Sequence, residues 1–350
     1  MSTGAAADEQ RALRLLRAHG THPFAFRALG GGLQRWCTAD GFVPFHDTGL
    51  AWVSAGPPVA PQQAQARMLS DFHRAGRAAG RRVRGFALQA ELVTQAGWRG
   101  FNIGAQPEWD PRLWPGIRAG SRSLREQLRR ARAKGVRVVR LAPEAALGGW
   151  RAPIERLSER WLAQRPMAPM GFVVSLDLFR CASERHYFAA LQAGELVGVL
   201  AAAPVYAREG WFLEHLLRDP DAPNGTTELL VDAAMQSWCA QSAPFATLGL
   251  APLSGEVGAT LRWVARLGKP LYHFDGVRAF KAKFCPSRWV DLQLAYPPGA
   301  AAPHALWDLL AAFAPGGMAA FAWQTLEQRM HDPAESSTFA RHDVRSPNLA

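Results

Sequence analysis

Hydrophobic and polar positions change their period several times along the chain, and each change predicts an element. Residues 8–19 place Leu13 and Leu16 on one side and arginines on the other, the pattern of a short amphipathic helix. Phe42 to Ser54 reads as a hairpin turning at Asp47-Thr48-Gly49, and Gly56-Pro57-Pro58 ends it. A helix is predicted over Gln62–Gly80 and a strand near Val83–Leu88. A strong helix follows over Ser121–Lys134, closed by Gly135, and then a strand over Val136–Leu141.

The C-terminal half is clearer still. A helix over Ile154–Gln164 precedes two apolar runs, His186–Gln192 and Leu196–Val205, joined by the tight turn Ala193-Gly194-Glu195. Trp211–Leu217 is a third strand. Thr226–Ala240 is a helix with Leu230, Ala234 and Trp238 on one face. Phe245–Leu250 has the composition of a buried strand, Val257–Leu267 reads as a helix, and Trp289–Ala295 as a last strand. Hairpin, strand, helix, strand, helix, strand is the order of an α/β layer with a mixed sheet, antiparallel early and parallel around the helix. His331–Ala350 carries no periodicity and is expected to be a tail.

Composition narrows the class. At 350 residues, 48% hydrophobic and 20% charged, the chain suits about two folded domains and excludes disorder. Cys37, Cys181, Cys239 and Cys285 lie far apart without ligand spacing, which argues against a zinc site and fits a reducing cytosol. The first residues, MSTGAAADEQ, lack the features of a signal peptide. The longest uncharged apolar stretch, Leu309–Leu326, is broken by Pro315-Gly316-Gly317, so an interfacial or core role is expected there rather than a span. The expected place is the cytoplasm, with the inner face of the membrane as a peripheral site.

Charge changes the picture most. The formal net charge is +11; of the 40 basic residues only Lys134, Lys269, Lys281 and Lys283 are lysines. The window Arg118–Arg140 alone carries eight arginines and Lys134 against Glu126, a local +8. On a helix Arg122, Arg125, Arg129 and Arg132 fall within about 80° of one another, with Leu124, Leu128 and Ala131 on another face. Acids are too few to neutralise this stripe by i,i+4 pairing, so a phosphate-rich partner is expected on Arg118, Arg122, Arg125, Arg129 and Arg132. With no base-reading motif, contacts would be to backbone phosphates, and DNA is not an expected partner. A solvated helix face is the alternative.

Six segments then resemble the catalytic domain of bacterial phosphatidylglycerol lysyltransferases, the aminoacyl-phosphatidylglycerol synthases. They are FNIGAQPEWDP (Phe101–Pro111), SRSLREQLRRARAKG (Ser121–Gly135), RDPDAPNGTTELL (Arg218–Leu230), LGLAPLSG (Leu248–Gly255), FDGVRAFKAKFCP (Phe274–Pro286) and LAYP (Leu294–Pro297), in matching order from about Gly41 to Pro297. The resemblance implies two tandem acetyltransferase-like (GNAT) domains joined by a basic helix. It places a first domain over 1–117, the connecting helix and strand over 118–140, and a second domain with the active site over 141–300. A helical extension over 301–330 and the tail over 331–350 complete the expected order. The implied activity is transfer of an amino acid from aminoacyl-tRNA onto the hydroxyl of an anionic membrane lipid by a stand-alone, soluble form. Ala105 follows Gly104 where many relatives have glutamate, and Leu217 stands where many have arginine, differences that bear on which amino acid is carried.

An aminoacyl ester is already activated, so no metal or nucleotide cofactor is required. The enzyme has to hold the tRNA, bind a cationic α-amino group and bring the acceptor hydroxyl to the ester carbonyl. Asn224 and Glu228 suit the amine, beside Arg218, Asp219 and Gly225 in the turn DAPNGTTE. A GNAT domain cradles a pyrophosphate at this turn; here only Gly225 remains of the glycine pattern, and Glu228 would repel an anion. Capping of the following helix is the alternative role for these residues. Ser254, with Leu250 and Pro252 in LAPLSG, is a candidate for substrate contact or a helix cap. Arg278, Lys281 and Lys283 are candidates for the tRNA 3′ end or the lipid phosphate. Glu214 and Asp219 flank His215 and offer an acid–base group or a structural one. Two rival functions stay open at this point: a coenzyme A-dependent N-acyltransferase on the same fold, and a non-catalytic RNA- or membrane-binding module.

Overall fold

The computed structural model of the chain describes residues 2–164, 170–253, 274–314 and 316. The helix expected at Val257–Leu267, Ser254, the extension beyond Gly316 and the tail lie outside the described residues.

The same succession of elements is built twice. In the first half, β1 (Gln34–Cys37), β2 (Phe42–Asp47) and β3 (Ala51–Ala55) form an antiparallel meander; helix α2 (Gln62–Ala78) crosses over, and β4 (Arg82–Leu88) lies parallel to β3. In the second half, β6 (Val136–Leu141), β7 (His186–Gln192), β8 (Glu195–Val205) and β9 (Gly210–Arg218) form the meander. Helix α8 (Thr226–Ala240) crosses over, and β10 (Phe245–Thr247) lies parallel to β9. A parallel neighbour needs a crossover of a dozen or more residues, which is what each helix supplies. The antiparallel-then-parallel order read from the sequence is therefore present in each half.

The two halves share one sheet, which β5 (Arg99–Trp109), β11 (Ala251–Pro252) and the last strand, β12 (Arg288–Tyr296), complete. Among the described residues its order is β1-β2-β3-β4-β12-β5-β10-β9-β8-β7-β6, with β11 also paired to β5. Strand β12 comes from the C-terminal half but inserts antiparallel between β4 and β5 of the N-terminal half. Strand β5 in turn pairs with β10. The strand expected at Trp289–Ala295 is thus in place, yet it interlocks the halves instead of completing the second one. Strand β10 is shorter than the expected Phe245–Leu250, because Gly249 adopts φ +71° and turns the chain away from β9 towards β5.

Side chains alternate between the two faces, so each face carries two cores. On one face, α1 (Ser2–His19), the 3₁₀ stretch Pro23–Gly31 and α10 (Ala302–Phe313) cover Phe86, Phe212 and Leu294, while α6 (Pro143–Leu147) and α7 (Arg151–Ala163) cover Tyr187, Ala189 and Leu217. On the other, α2 and α3 (Ala90–Gln95) cover Val83 and Leu88. There α4 (Trp114–Gly120), α5 (Arg122–Ala133), α8 and α9 (Phe274–Ala282) also pack over Phe188, Leu213 and Ala246. Leu230, Ala234 and Trp238 of α8 are fully buried, and Leu124, Leu128 and Ala131 dock α5, as their spacing requires. Ser121 caps α5 by accepting the Leu124 N–H at 3.3 Å.

Candidate functional site

The turn between β9 and α8 gathers five of the residues singled out in the sequence. Asp219 accepts from Arg160 Nε of α7 at 2.7 Å and from the Asp221 N–H at 3.1 Å, so its charge holds the turn in place. Arg218 Nη1 donates to Asn224 Oδ1 at 3.3 Å, and Asn224 is exposed. Thr226 Oγ1 donates to the Pro223 carbonyl at 2.7 Å. Gly225 sits at φ +94°, and a Cβ built on it would lie 2.3 Å from the Gln127 carbonyl oxygen of α5. The start of α8 is therefore pressed against the basic helix by a contact that only glycine permits. Glu228 follows in the first turn of α8. It is 8% exposed, and its carboxylate has no hydrogen bond or ion pair among the described residues.

One helical turn on, on the same face, Asp232 is 0% exposed and fully served. It accepts from Trp114 Nε1 at 2.9 Å, Gln236 Nε2 at 2.8 Å and Arg132 Nη2 at 3.1 Å, with Arg118 Nη1 at 3.6 Å. Two arginines of the Arg118–Arg140 window therefore have an internal partner. Arg118 and Arg132 face a buried carboxylate a hundred residues along the chain. Glu126 takes both Arg129, at 2.8 Å, and Arg130, at 3.0 Å, while Arg125 donates to the Ala119 carbonyl. Arg122 has no partner among the described residues.

The second cluster lies where β10 bends into β11. Lys281 of α9, expected on a solvated or phosphate-facing surface, is instead 8% exposed. Its ammonium donates to the carbonyls of Leu248, Gly249 and Leu250 at 2.9, 2.8 and 2.9 Å. All three N–H groups are consumed, so Lys281 shapes the Leu248–Pro252 loop and has none left for a phosphate. Burial pulls its pKa down to about 7. Pro252 pairs with Gly104 of β5, where φ is +150° and a Cβ built on the residue would lie 2.2 Å from the Ala251 carbonyl oxygen, so there is no room for a side chain. Arg278 stacks its guanidinium 4.4 Å from the Trp289 ring centre, and Lys283 is exposed. No hydrogen bond or ion pair among the described residues joins this cluster to the β9–α8 turn.

Glu214 belongs to neither cluster. It points into the opposite face, where Arg27 Nε at 2.7 Å and Arg185 Nη1 at 2.5 Å hold it in a buried ion pair. Burial works against its charge, but His215, Arg27 and Arg185 outweigh it and hold the carboxyl down to about 2. Its neighbour His215 is kept neutral by burial, with a pKa lowered to about 4.

A group absent from the sequence reading sits at the join of the halves. Glu108 on β5 is buried and accepts from Arg208 at 2.6 and 3.0 Å, from Arg288 of β12 at 2.6 Å and from Gln106 at 3.2 Å. Burial opposes its ionisation, and the two guanidiniums more than reverse that, lowering its pKa. Its partners are 100 and 180 residues away, so no local pattern announces it.

Among the described residues no three His, Cys, Asp or Glu side chains converge as a metal site requires, and no helix is long and apolar enough to cross a membrane.

Known proteins share this architecture. A structure from Agrobacterium fabrum, described as the C-terminal DUF2156 domain of a putative lysylphosphatidylglycerol synthetase, superposes with a TM-score of 0.77 at 23% identity, over 89% of this chain and 99% of that one. L-PGS from Bacillus licheniformis gives 0.74 at 19% identity, over 90% and 97%. FemX gives 0.54 at 9% identity, over 87% and 98%. At these identities the likeness is one of fold. No curated protein sequence matches the chain significantly. The family model described as phosphatidylglycerol lysyltransferase, C-terminal, matches residues 13–296, which span both halves, the basic helix, both clusters and the inserted strand. The chain thus belongs to the phosphatidylglycerol lysyltransferase C-terminal family, and with it to the acyltransferase-type enzymes.

Proposed function

We propose that the protein transfers the aminoacyl group of an aminoacyl-tRNA to a hydroxyl of an anionic membrane lipid, with phosphatidylglycerol as the first candidate. The observation that carries this reading is the family match over residues 13–296. In the transfer, the lipid hydroxyl oxygen attacks the ester carbonyl and a new ester bond forms. The bond to the terminal ribose oxygen of the tRNA breaks, and that oxygen takes up the proton. The cationic α-amino group needs a counter-charge, and Glu228, buried and unpaired among the described residues, is the buried carboxylate at the β9–α8 turn with capacity left. Arg122 and the outward guanidiniums of Arg125 and Arg129 give α5 a basic surface for the phosphates of tRNA. The expected place of action is the cytoplasmic face of the membrane.

The rival coenzyme A reading meets a physical obstacle. The turn that would have to expose its backbone N–H groups to a pyrophosphate is packed against the Gln127 carbonyl of α5 at Gly225, and an acidic side chain follows it. The deciding experiment incubates the protein with a panel of charged tRNAs and phosphatidylglycerol vesicles and separates the lipids. The expected outcome is aminoacylated lipid from at least one tRNA, formed without acetyl-coenzyme A. Absence of product across the panel, with coenzyme A ordered at the β9–α8 turn, would overturn the reading.

A further inference from the structure

On the outer side of α10, Pro303, His304, Trp307 and Leu310 fall within about 120° of one another. All four are exposed, Trp307 at 54% and Leu310 at 38%. A surface helix of a soluble protein ordinarily turns charged side chains outward. Helix α2 of the same half does so, with Arg67, Arg74 and Arg77 exposed. In α10 the charged side chain, Asp308, is turned inward instead. It is buried and neutralised by Arg82 at 2.6 Å and Arg84 at 2.9 Å. Ala305, Leu309 and Ala312 are buried beside it, so the helix is firmly docked while its outer side carries no carboxylate.

The Asp308 ion pairs also fix what lies next to the helix. They pin its middle to the start of β4, where the Arg82 N–H donates to the Leu50 carbonyl at 3.1 Å. Leu50, in the turn between β2 and β3, is 62% exposed, a third large apolar side chain held out in this region. Two guanidiniums flank it. Arg82 keeps 46% of its side chain exposed while it holds Asp308. Arg99 opens β5 two positions before Phe101, which packs against the core that α10 covers, so alternation puts Arg99 on the same face of the sheet. It is exposed and has no partner among the described residues. The acid of the β2–β3 turn, Asp47, is already held by Arg81 at 3.1 Å.

We propose that the outer side of α10, together with Leu50, is the surface by which the protein docks on an anionic lipid bilayer. Trp307 and Leu310 enter the interface, and Arg82 and Arg99 meet the headgroup phosphates. An indole, with its apolar body and N–H tip, suits the boundary between hydrocarbon and water. Apolar insertion combined with cationic attraction is what holds a helix in the plane of an anionic membrane. The choice of phosphatidylglycerol as the anionic lipid rests on the transfer reading above.

The test is co-sedimentation of the full chain with vesicles of phosphatidylcholine, alone or mixed with phosphatidylglycerol. Binding to the mixed vesicles is expected, and it should fall about tenfold or more in the double variant Trp307→Ser, Leu310→Ser. Arg99→Gln should weaken binding to the mixed vesicles about fivefold and leave binding to phosphatidylcholine alone unchanged. Leu113→Ser, which alters an exposed leucine beside α4 on the other face of the sheet, should bind as the parent does. All these side chains are exposed, so the variants should melt with the parent. Supplied with charged tRNA, the double variant should use detergent-dispersed phosphatidylglycerol at the parent's rate and lose transfer to vesicles. Vesicle binding through α10 without aminoacylated lipid from any tRNA would refute the transfer reading and keep the docking surface. No binding of the parent to the mixed vesicles, or equal binding by the double variant, would overturn the proposal. A dimer seen by light scattering, abolished in the double variant while vesicle binding persists, would overturn it too and assign the surface to a second copy of the chain.

Discussion

Replacing Gly225 by alanine measures the contact that closes the β9–α8 turn. The backbone there has φ +94°, and the new Cβ would stand 2.3 Å from the Gln127 carbonyl oxygen, 3.0 Å from its carbon and 3.2 Å from the Ala131 Cβ. Two costs follow. The left-handed backbone costs an L-residue about 1–2 kcal/mol, partly offset by the stiffer unfolded chain. The overlap is with backbone, which no rotamer change relieves, so α5 has to move off α8 at a further cost of about 1–3 kcal/mol. Gly194→Ala supplies the internal control: Gly194 has φ +90° and nothing within 4 Å of the added Cβ, so it carries only the first cost. The difference between the two variants is the free energy of crowding the two helices. At about 2–4 °C per kcal/mol, Gly225→Ala should melt several degrees below Gly194→Ala. Thermal scans and urea titrations of both variants, read by circular dichroism, give the numbers. Equal melting of the two would refute the close approach of α5, and with it the argument that no pyrophosphate enters the turn.

Four other outcomes rest on particular side chains. Arg132→Gln should lower the melting temperature by about 2–4 °C, because it strips one donor from the buried carboxylate of Asp232. The triple change of Arg122, Arg125 and Arg129 to Gln should leave melting unchanged while weakening tRNA binding and flattening its salt dependence, by a slope of about 0.7–0.9 for each phosphate no longer neutralised. Glu228→Gln should keep the fold and slow transfer about ten- to a hundredfold, measured as aminoacylated lipid formed per minute; unaltered rates would leave Glu228 as a helix-dipole residue. Acidification should destabilise the protein between about pH 6.5 and 4: His22, His186 and His215 are held near 3, 3 and 4, so over that window the unfolded chain binds more protons than the folded one. A urea midpoint that stays constant over that range would contradict the buried, neutral state of these rings.

Local pattern determined the elements whose code is local. The period of apolar residues in Thr226–Ala240, the apolar run His186–Gln192 and the basic, apolar-striped helix that Ser121 caps each depend on neighbours within a turn or a strand, and each element stands where its pattern puts it. The arginine stripe and the Gly225 turn were legible for the same reason. Strand β5, the longest of the N-terminal half, was not. Arg99–Trp109 contains Gly104, Pro107 and the polar Gln106 and Glu108, which interrupt the pattern of a strand. They are tolerated at the centre of the sheet because Arg208 and Arg288 arrive from remote segments to neutralise Glu108, and because Gly104 admits the Ala251 carbonyl. Sequence likewise marked β12 as a strand without choosing its neighbours, since a strand's edges can pair with any partner of fitting register. Lys281, Arg132 and Glu214 carry charges that composition counts as surface; only the tertiary structure decided which carbonyls and counter-charges would meet them. Burial sets the role of an ionisable group, and burial depends on residues a hundred positions away.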